Sequence, residues 1–160
     1  MLNFYDYQKR ALVECVEDFN ASAVEQSVYK YYQGAVVGEL SVKGKNENNE
    51  GSWPFRSSKI GVRYNDLPPT SLWGGASVEG VGTVGAMVHP YYRGGEFAGF
   101  SVLALKGGGF HPSRFMDPPV VAPGGKDSFS CSFAVSFKIN QTEYKLVVDK
   151  FEVDFTKADI

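Results

Sequence analysis

Apolar and polar residues alternate at period two along most of this chain, most regularly near its end. There Phe129, Cys131, Phe133, Val135, Phe137 and Ile139 alternate with Ser128, Ser130, Ser132, Ala134, Ser136 and Lys138. One face is apolar and the other mostly hydroxyl, which predicts a long antiparallel strand with one wet face. Asn140-Gln141-Thr142-Glu143 turns the chain, and the return strand carries Tyr144, Leu146 and Val148, then Phe151, Val153 and Phe155. The apolar phase changes from even to odd numbers around Asp149-Lys150, so a β-bulge there would keep both halves facing one core.

Earlier segments repeat the alternation. Val36, Leu40 and Val42 oppose Val37, Glu39, Ser41 and Lys43, and Ile60, Val62 and Tyr64 oppose Lys59, Gly61 and Arg63. A polar turn over 45–52 separates the two, and Asp66-Leu67-Pro68-Pro69 breaks the second. Over 22–34 two patterns compete. Val24, Val28 and Tyr31 fit a helix ending before Gly34, whereas Val28-Tyr29-Lys30-Tyr31-Tyr32 has strand composition, and the strand is preferred. At the N-terminus Tyr5, Leu12, Val16 and Phe19 share one helical face, with Asn3 as cap and Asp6 in the first turn. This predicts an amphipathic helix over 3–20 of about four turns, packed on the domain or, in the sharper reading, docked on a membrane or partner.

Between Leu72 and Gly109 lie eleven of the chain's 18 glycines, interleaved with Val, Ala, Phe and Tyr. Such a pattern belongs to strands that curve, bulge or approach a neighbour closely. Three are expected, near 71–76, 78–88 and 97–106, with Arg93-Gly94-Gly95-Glu96 as the hairpin tip of the last two. Gly80-Val81-Gly82-Thr83-Val84-Gly85 matches the dinucleotide fingerprint Gly-x-Gly-x-x-Gly, but that chemistry needs a helix after the turn, and Pro90 follows too soon for one. The prolines and glycine pairs of 107–126 predict a long irregular loop, often a functional element in a compact domain. The fold expectation is all-β: one domain over 1–160, an antiparallel sandwich or barrel of about eight strands with an N-terminal helix laid against it.

Charge and cysteine content narrow the partners. A length of 160 residues suits a single core, and a formal net charge of −2 with scattered signs gives no footprint for nucleic acid. No apolar run approaches the ~20 residues that span a bilayer, and the first residues lack a signal-peptide pattern. The expectation is a soluble product, made in the cytosol or present as a mature form. Cys15 and Cys131 are far apart, and buried thiols are preferred to a disulfide. Asn20-Ala21-Ser22 and Asn140-Gln141-Thr142 fit the glycosylation pattern, which matters only for a secreted eukaryotic protein.

No cofactor or metal is expected, because two histidines and two cysteines in unrelated contexts make no ligand cluster. Catalysis is not expected either. His89 and His111, each directly before a proline, are the only imidazoles that could serve as a base. The stronger constellation is aromatic. Three segments predicted as loops combine aromatic rings, arginine and proline: Trp53-Pro54-Phe55-Arg56, Pro90-Tyr91-Tyr92-Arg93, and Phe110-His111-Pro112-Ser113-Arg114-Phe115-Met116. If clustered, they form a recognition surface; alternatively, their rings fold back to plug the barrel ends.

An amphipathic N-terminal helix before a β-sandwich with aromatic loops, Tyr91 and Tyr92 among them, resembles the actinoporin-type pore formers. Leu72-Trp73-Gly74-Gly75 resembles a strand of small virulence-associated barrel proteins. Each likeness spans no more than about a dozen residues and carries over no functional residue. The function expected is a non-catalytic binding module, toxin- or effector-like, engaging a lipid, glycan or protein surface through Trp53, Phe55, Arg56, Tyr91, Tyr92, Arg93, Phe110, His111, Arg114 and Phe115. Its membrane version is pore-forming. The alternatives are a structural subunit of a viral or other homo-oligomeric assembly, and a small-ligand barrel or enzyme using His89 or His111.

Overall fold

A computed structural model describes residues 3–14, 30–43, 51–64, 69–125 and 127–158. Among them there is no helix. The strands are β1 (Asn3–Asp6), β2 (Ala11–Glu14), β3 (Lys30–Val42), β4 (Ser52–Tyr64), β5 (Pro69–Val78) and β6 (Gly82–Arg93). They continue as β7 (Glu96–Lys106), β8 (Gly109–Pro112), β9 (Arg114–Phe115), β10 (Val120–Ala122), β11 (Ser128–Ile139) and β12 (Thr142–Ala158). All twelve belong to one antiparallel sheet, ordered β10-β11-β12-β3-β4-β5-β6-β7-β1-β2 and nearly closed into a barrel.

The near-closure is made by a short stretch of chain at the seam. β8 pairs with β7 through Leu103↔Pro112 to Lys106↔Gly109, and β9 pairs with β11 through Val135↔Phe115 and Ser136↔Arg114. Residues 109–115 thus touch both sides of the seam. Farther along, β7 and β11 take different partners, the β1–β2 hairpin and β10. The long loop expected over 107–126 is corrected here: it contains β8, β9 and β10. Prolines and glycines exclude long strands but not two- to four-residue pieces that pair at an edge.

The N-terminal helix is also corrected. Residues 3–6 and 11–14 are strands, and the remainder of 3–20 lies outside the described residues. The local chemistry favours a hairpin. Lys9 N–H donates to Asp6 Oδ1 at 3.0 Å, Arg10 adopts a φ of 53°, and Asn3 binds the seam instead of capping a helix. The three aromatic segments expected as loops lie mainly in strands: 53–56 in β4, 90–93 in β6, and 110–115 almost wholly in β8 and β9. Glu79-Gly80-Val81 is a turn, with Val81 N–H bonded to Val78 carbonyl at 3.1 Å, and a strand follows it. The dinucleotide-like motif therefore has no helix to lend it a phosphate site.

Alternation decides which side chains enter the barrel. Phe129, Cys131, Phe133, Val135 and Phe137 of β11 are all buried. On β12 the buried set passes from Leu146 and Val148 to Phe151 and Val153. The register shift falls where Cys131↔Phe151 gives way to Phe133↔Val148, leaving Asp149-Lys150 opposite Ser132. A bulge therefore keeps both halves of β12 turned inward. The centre is aromatic: Phe100 lies 5.2 Å from Phe115, 6.2 Å from Phe129 and 6.3 Å from Phe133, measured between ring centroids. Gly38 makes room for another ring, since a Cβ there would sit 2.9 Å from Phe55 Cζ and 2.6 Å from Val147 carbonyl oxygen.

Candidate functional site

The ten residues considered for recognition separate into packed and exposed groups. Phe55 and Phe115 are core residues. His111 stacks on Phe137 at 5.5 Å and 17°, Phe137 stacks on Tyr144 at 5.3 Å, and Lys106 Nζ lies 5.2 Å from the Tyr144 ring centroid. Burial lowers the His111 pKa below its ordinary value, a backbone hydrogen bond with Lys106 opposes this, and the Lys106 charge adds to the lowering. Tyr92 packs edge-on against Phe97 at 6.0 Å, and burial raises its phenol pKa. Trp53 is half-buried against the core, and Phe110 is half-buried in β8. These rings act largely as plugs.

The remaining members reach solvent at different places. Tyr91 is 52% exposed and meets Phe4 edge-on. Arg93 Nη1 donates to Gln8 Oε1 at 3.0 Å. Arg114 forms a two-point ion pair with Glu14, Nη1 to Oε2 at 2.8 Å and Nη2 to Oε1. This pair lowers the Glu14 pKa and raises that of Arg114. Trp53 and His111 share the end of the barrel where Val42 meets Tyr144, whereas Tyr91–Arg93 sit at the other end of β6, near Glu96. The structure does not gather the three segments into one surface.

Arg56 is different. Its side chain is exposed and has no ion-pair or hydrogen-bond partner among the described residues, while its backbone faces Val37 of β3 in the ladder. It stands beside an opening in the wall. β4 pairs with β5 only through Gly61–Tyr64 and Pro69–Trp73. Among the described residues, β4 over Ser52–Ser57 is paired on its β3 side alone, and β5 over Gly74–Val78 on its β6 side alone. The register shift of β3 against β4 between Gln33 and Val36 bends this part of the wall. The resulting cleft has a volume of about 390 Å³ and is lined by Val37, Phe55, Arg56, Ala76, Ser77 and Val78 among others. A neighbouring trough of about 510 Å³ shares Val37 and Arg56 and is also lined by Lys150.

Reading Trp53-Pro54 as a loop concealed this opening. Pro54 offers no backbone N–H and belongs at a sheet edge when it occurs inside a strand. Its place in β4, opposite Glu39 of β3, is therefore the sequence signal for an edge that lacks a second neighbour.

Among the described residues no group of three or more His, Cys, Asp and Glu could hold a metal ion. His89 is half-buried in β6 opposite Ser101 of β7. Cys131 is a buried free thiol whose pKa is pushed well up by desolvation, and Cys15 lies outside the described residues. No family model, curated protein or solved structure matches the chain.

Proposed function

We propose that the protein is a non-catalytic binding module that engages a partner protein from the outside of its barrel wall. The observation that carries this reading is the contrast between an aromatic core and an open wall cleft beside the exposed Arg56, whose side chain has no partner among the described residues. Arginine at the rim of an apolar cleft is a common interface anchor, because it combines buried stem area with directional donors. The helix through which the membrane version would act is not formed over 3–14, which is a β-hairpin.

The test is one protein preparation applied to three partner classes: liposomes of mixed phosphatidylcholine and phosphatidylserine, a glycan array, and an array of tiled twelve-residue peptides. The expected result is retention on a subset of peptides, reduced by Arg56→Ala. Retention on liposomes or glycans alone, unaffected by Arg56→Ala, would overturn the reading.

One observation supports a second reading, a homo-oligomeric structural subunit. Val13 on β2, Met116 after β9 and Val120 on β10 are 40%, 41% and 71% exposed, and β2 and β10 end the strand order. Unpaired edges with apolar side chains promote association. Light scattering over a concentration series tests it: a stable oligomer that Val120→Lys disperses supports the subunit reading, and a monomer throughout refutes it.

A further inference from the structure

We propose that the gap between β4 and β5 receives an extended peptide segment carrying acidic side chains, which pairs its backbone with β5 at Gly75–Val78 and lays a carboxylate against Arg56. This rests on the binding-module reading and names the chemistry of the partner. The β5 edge is suited to it. Among the described residues, Gly75 to Val78 have a ladder partner on the β6 side alone, so alternate residues of the four aim their N–H and C=O at the gap. At about 3.4 Å per residue the four present roughly 14 Å of edge. An incoming strand exchanges hydrogen bonds to water for interstrand ones, and pockets for alternate side chains set its specificity.

Those pockets specify a pattern. Phe55, Ala76 and Val78 belong to the apolar interior or pack against it, so side chains turned inward should be apolar. Arg56 and Ser77 are exposed on the outer side, and Lys150, opposite Val37, which is itself opposite Arg56, lines the adjoining trough. Side chains turned outward should therefore be acidic. Among the described residues no carboxylate is ion-paired with Arg56: Glu39 accepts a hydrogen bond from Ser52 Oγ at 2.6 Å, and Glu152 lies 3.7 Å from Lys150 in an exposed pair that is readily exchanged. On the opposite lip, Pro54 removes one donor from β4, which directs the incoming backbone to β5.

The test uses the full chain and a fluorescein-labelled octapeptide of alternating valine and aspartate, followed by fluorescence anisotropy. Comparators are an alternating valine–lysine octapeptide and two valine–aspartate octapeptides, one N-methylated at the odd-numbered amides and the other at the even-numbered ones. Saturable binding of the acidic peptide is expected, about tenfold weaker or worse with Arg56→Glu and unchanged with Lys138→Glu, an exposed charge on β11. One of the two alternate N-methylation registers should abolish binding.

Equal losses with both charge variants would reduce the effect to net charge and overturn the proposal. Undiminished binding of both N-methylated registers would overturn strand pairing. Dimerisation of the free protein that Arg56→Glu abolishes would assign the gap to a second copy. Failure of the acidic octapeptide while tiled peptides still bind in an Arg56-dependent manner would defeat this proposal alone; failure of every peptide would defeat the binding-module reading with it.

Discussion

The side-chain oxygen of Asn3 accepts the backbone N–H of Phe115 at 2.8 Å, joining residues 112 positions apart where β1 and β9 meet in the seam. Asn3 is 4% exposed. Removing its oxygen leaves a buried donor without a partner, which costs about 1–3 kcal/mol. Asn3→Ala should lower the urea midpoint accordingly without changing the denaturant slope. Arg114→Ala, which breaks an exposed pair in the same seam, should shift the midpoint much less. A larger effect at Arg114 would mean that the surface pair, rather than the buried hydrogen bond, holds the seam.

Close approach of β5 and β6 depends on Gly85. A Cβ there would collide with the Gly74 carbonyl and come within 2.6 Å of Gly75 Cα. Both are backbone atoms, so no rotamer change relieves the overlap. Gly85→Ala should cost about 1–3 kcal/mol or more. At Gly94 the space is open and only a φ of 62° opposes a side chain, so Gly94→Ala should cost about 1 kcal/mol. Thermal unfolding of both variants decides the matter: if Gly94→Ala proves the more damaging, the close packing of β5 on β6 is not what Gly85 serves.

Much of the architecture was legible because period-two alternation reports directly on burial. The phase change at Asp149-Lys150 located a bulge between the halves of β12, and glycine density located the curved strands β5 to β7. The N-terminus misled for a specific reason. Tyr5 and Leu12 are spaced compatibly with a helix, yet they face one another as a cross-strand pair in the β1–β2 hairpin. That pairing is indistinguishable from a helical stripe without knowledge of the turn at Tyr7–Arg10. The candidate site was less legible. Aromatic, arginine and proline residues singled out three segments, but sequence does not tell whether a ring points into the barrel, as Phe55 and Phe115 do, or away from it, as Tyr91 does. Strand pairing across the β4–β5 gap is non-local, so of the opening only Pro54 left a trace.

Phe100 is the centre of the aromatic core. It is fully buried and contacts rings from β1, β9 and β11, namely Tyr5, Phe115, Phe129 and Phe133. Its truncation empties space shared by both sides of the seam. Phe100→Ala should therefore cost about 3–5 kcal/mol, and near-ultraviolet circular dichroism should show loss of fixed aromatic packing. A variant as stable as the parent would mean that the seam closes without its central ring.

Stability should fall with acidification in two separate windows. Burial holds the His111 pKa below its ordinary 6.5, so the folded protein binds fewer protons than the unfolded chain in that range. The stabilisation is fully present above 6.5 and is lost as pH falls through the lowered folded value. Glu14, beside Arg114, is held below its ordinary 4.5, and Asp154, hydrogen-bonded by Thr156, below its ordinary 3.8. Their contributions are present above those ordinary values and disappear only at lower pH. Urea midpoints measured from pH 7.5 to 3 should therefore show an upper descent that His111→Leu flattens, because leucine keeps an apolar contact with Phe137 and cannot take a proton. Glu14→Gln should leave that upper descent intact and weaken the lower one. An upper descent that survives His111→Leu would assign it to another group and remove His111 as the source of the pH response.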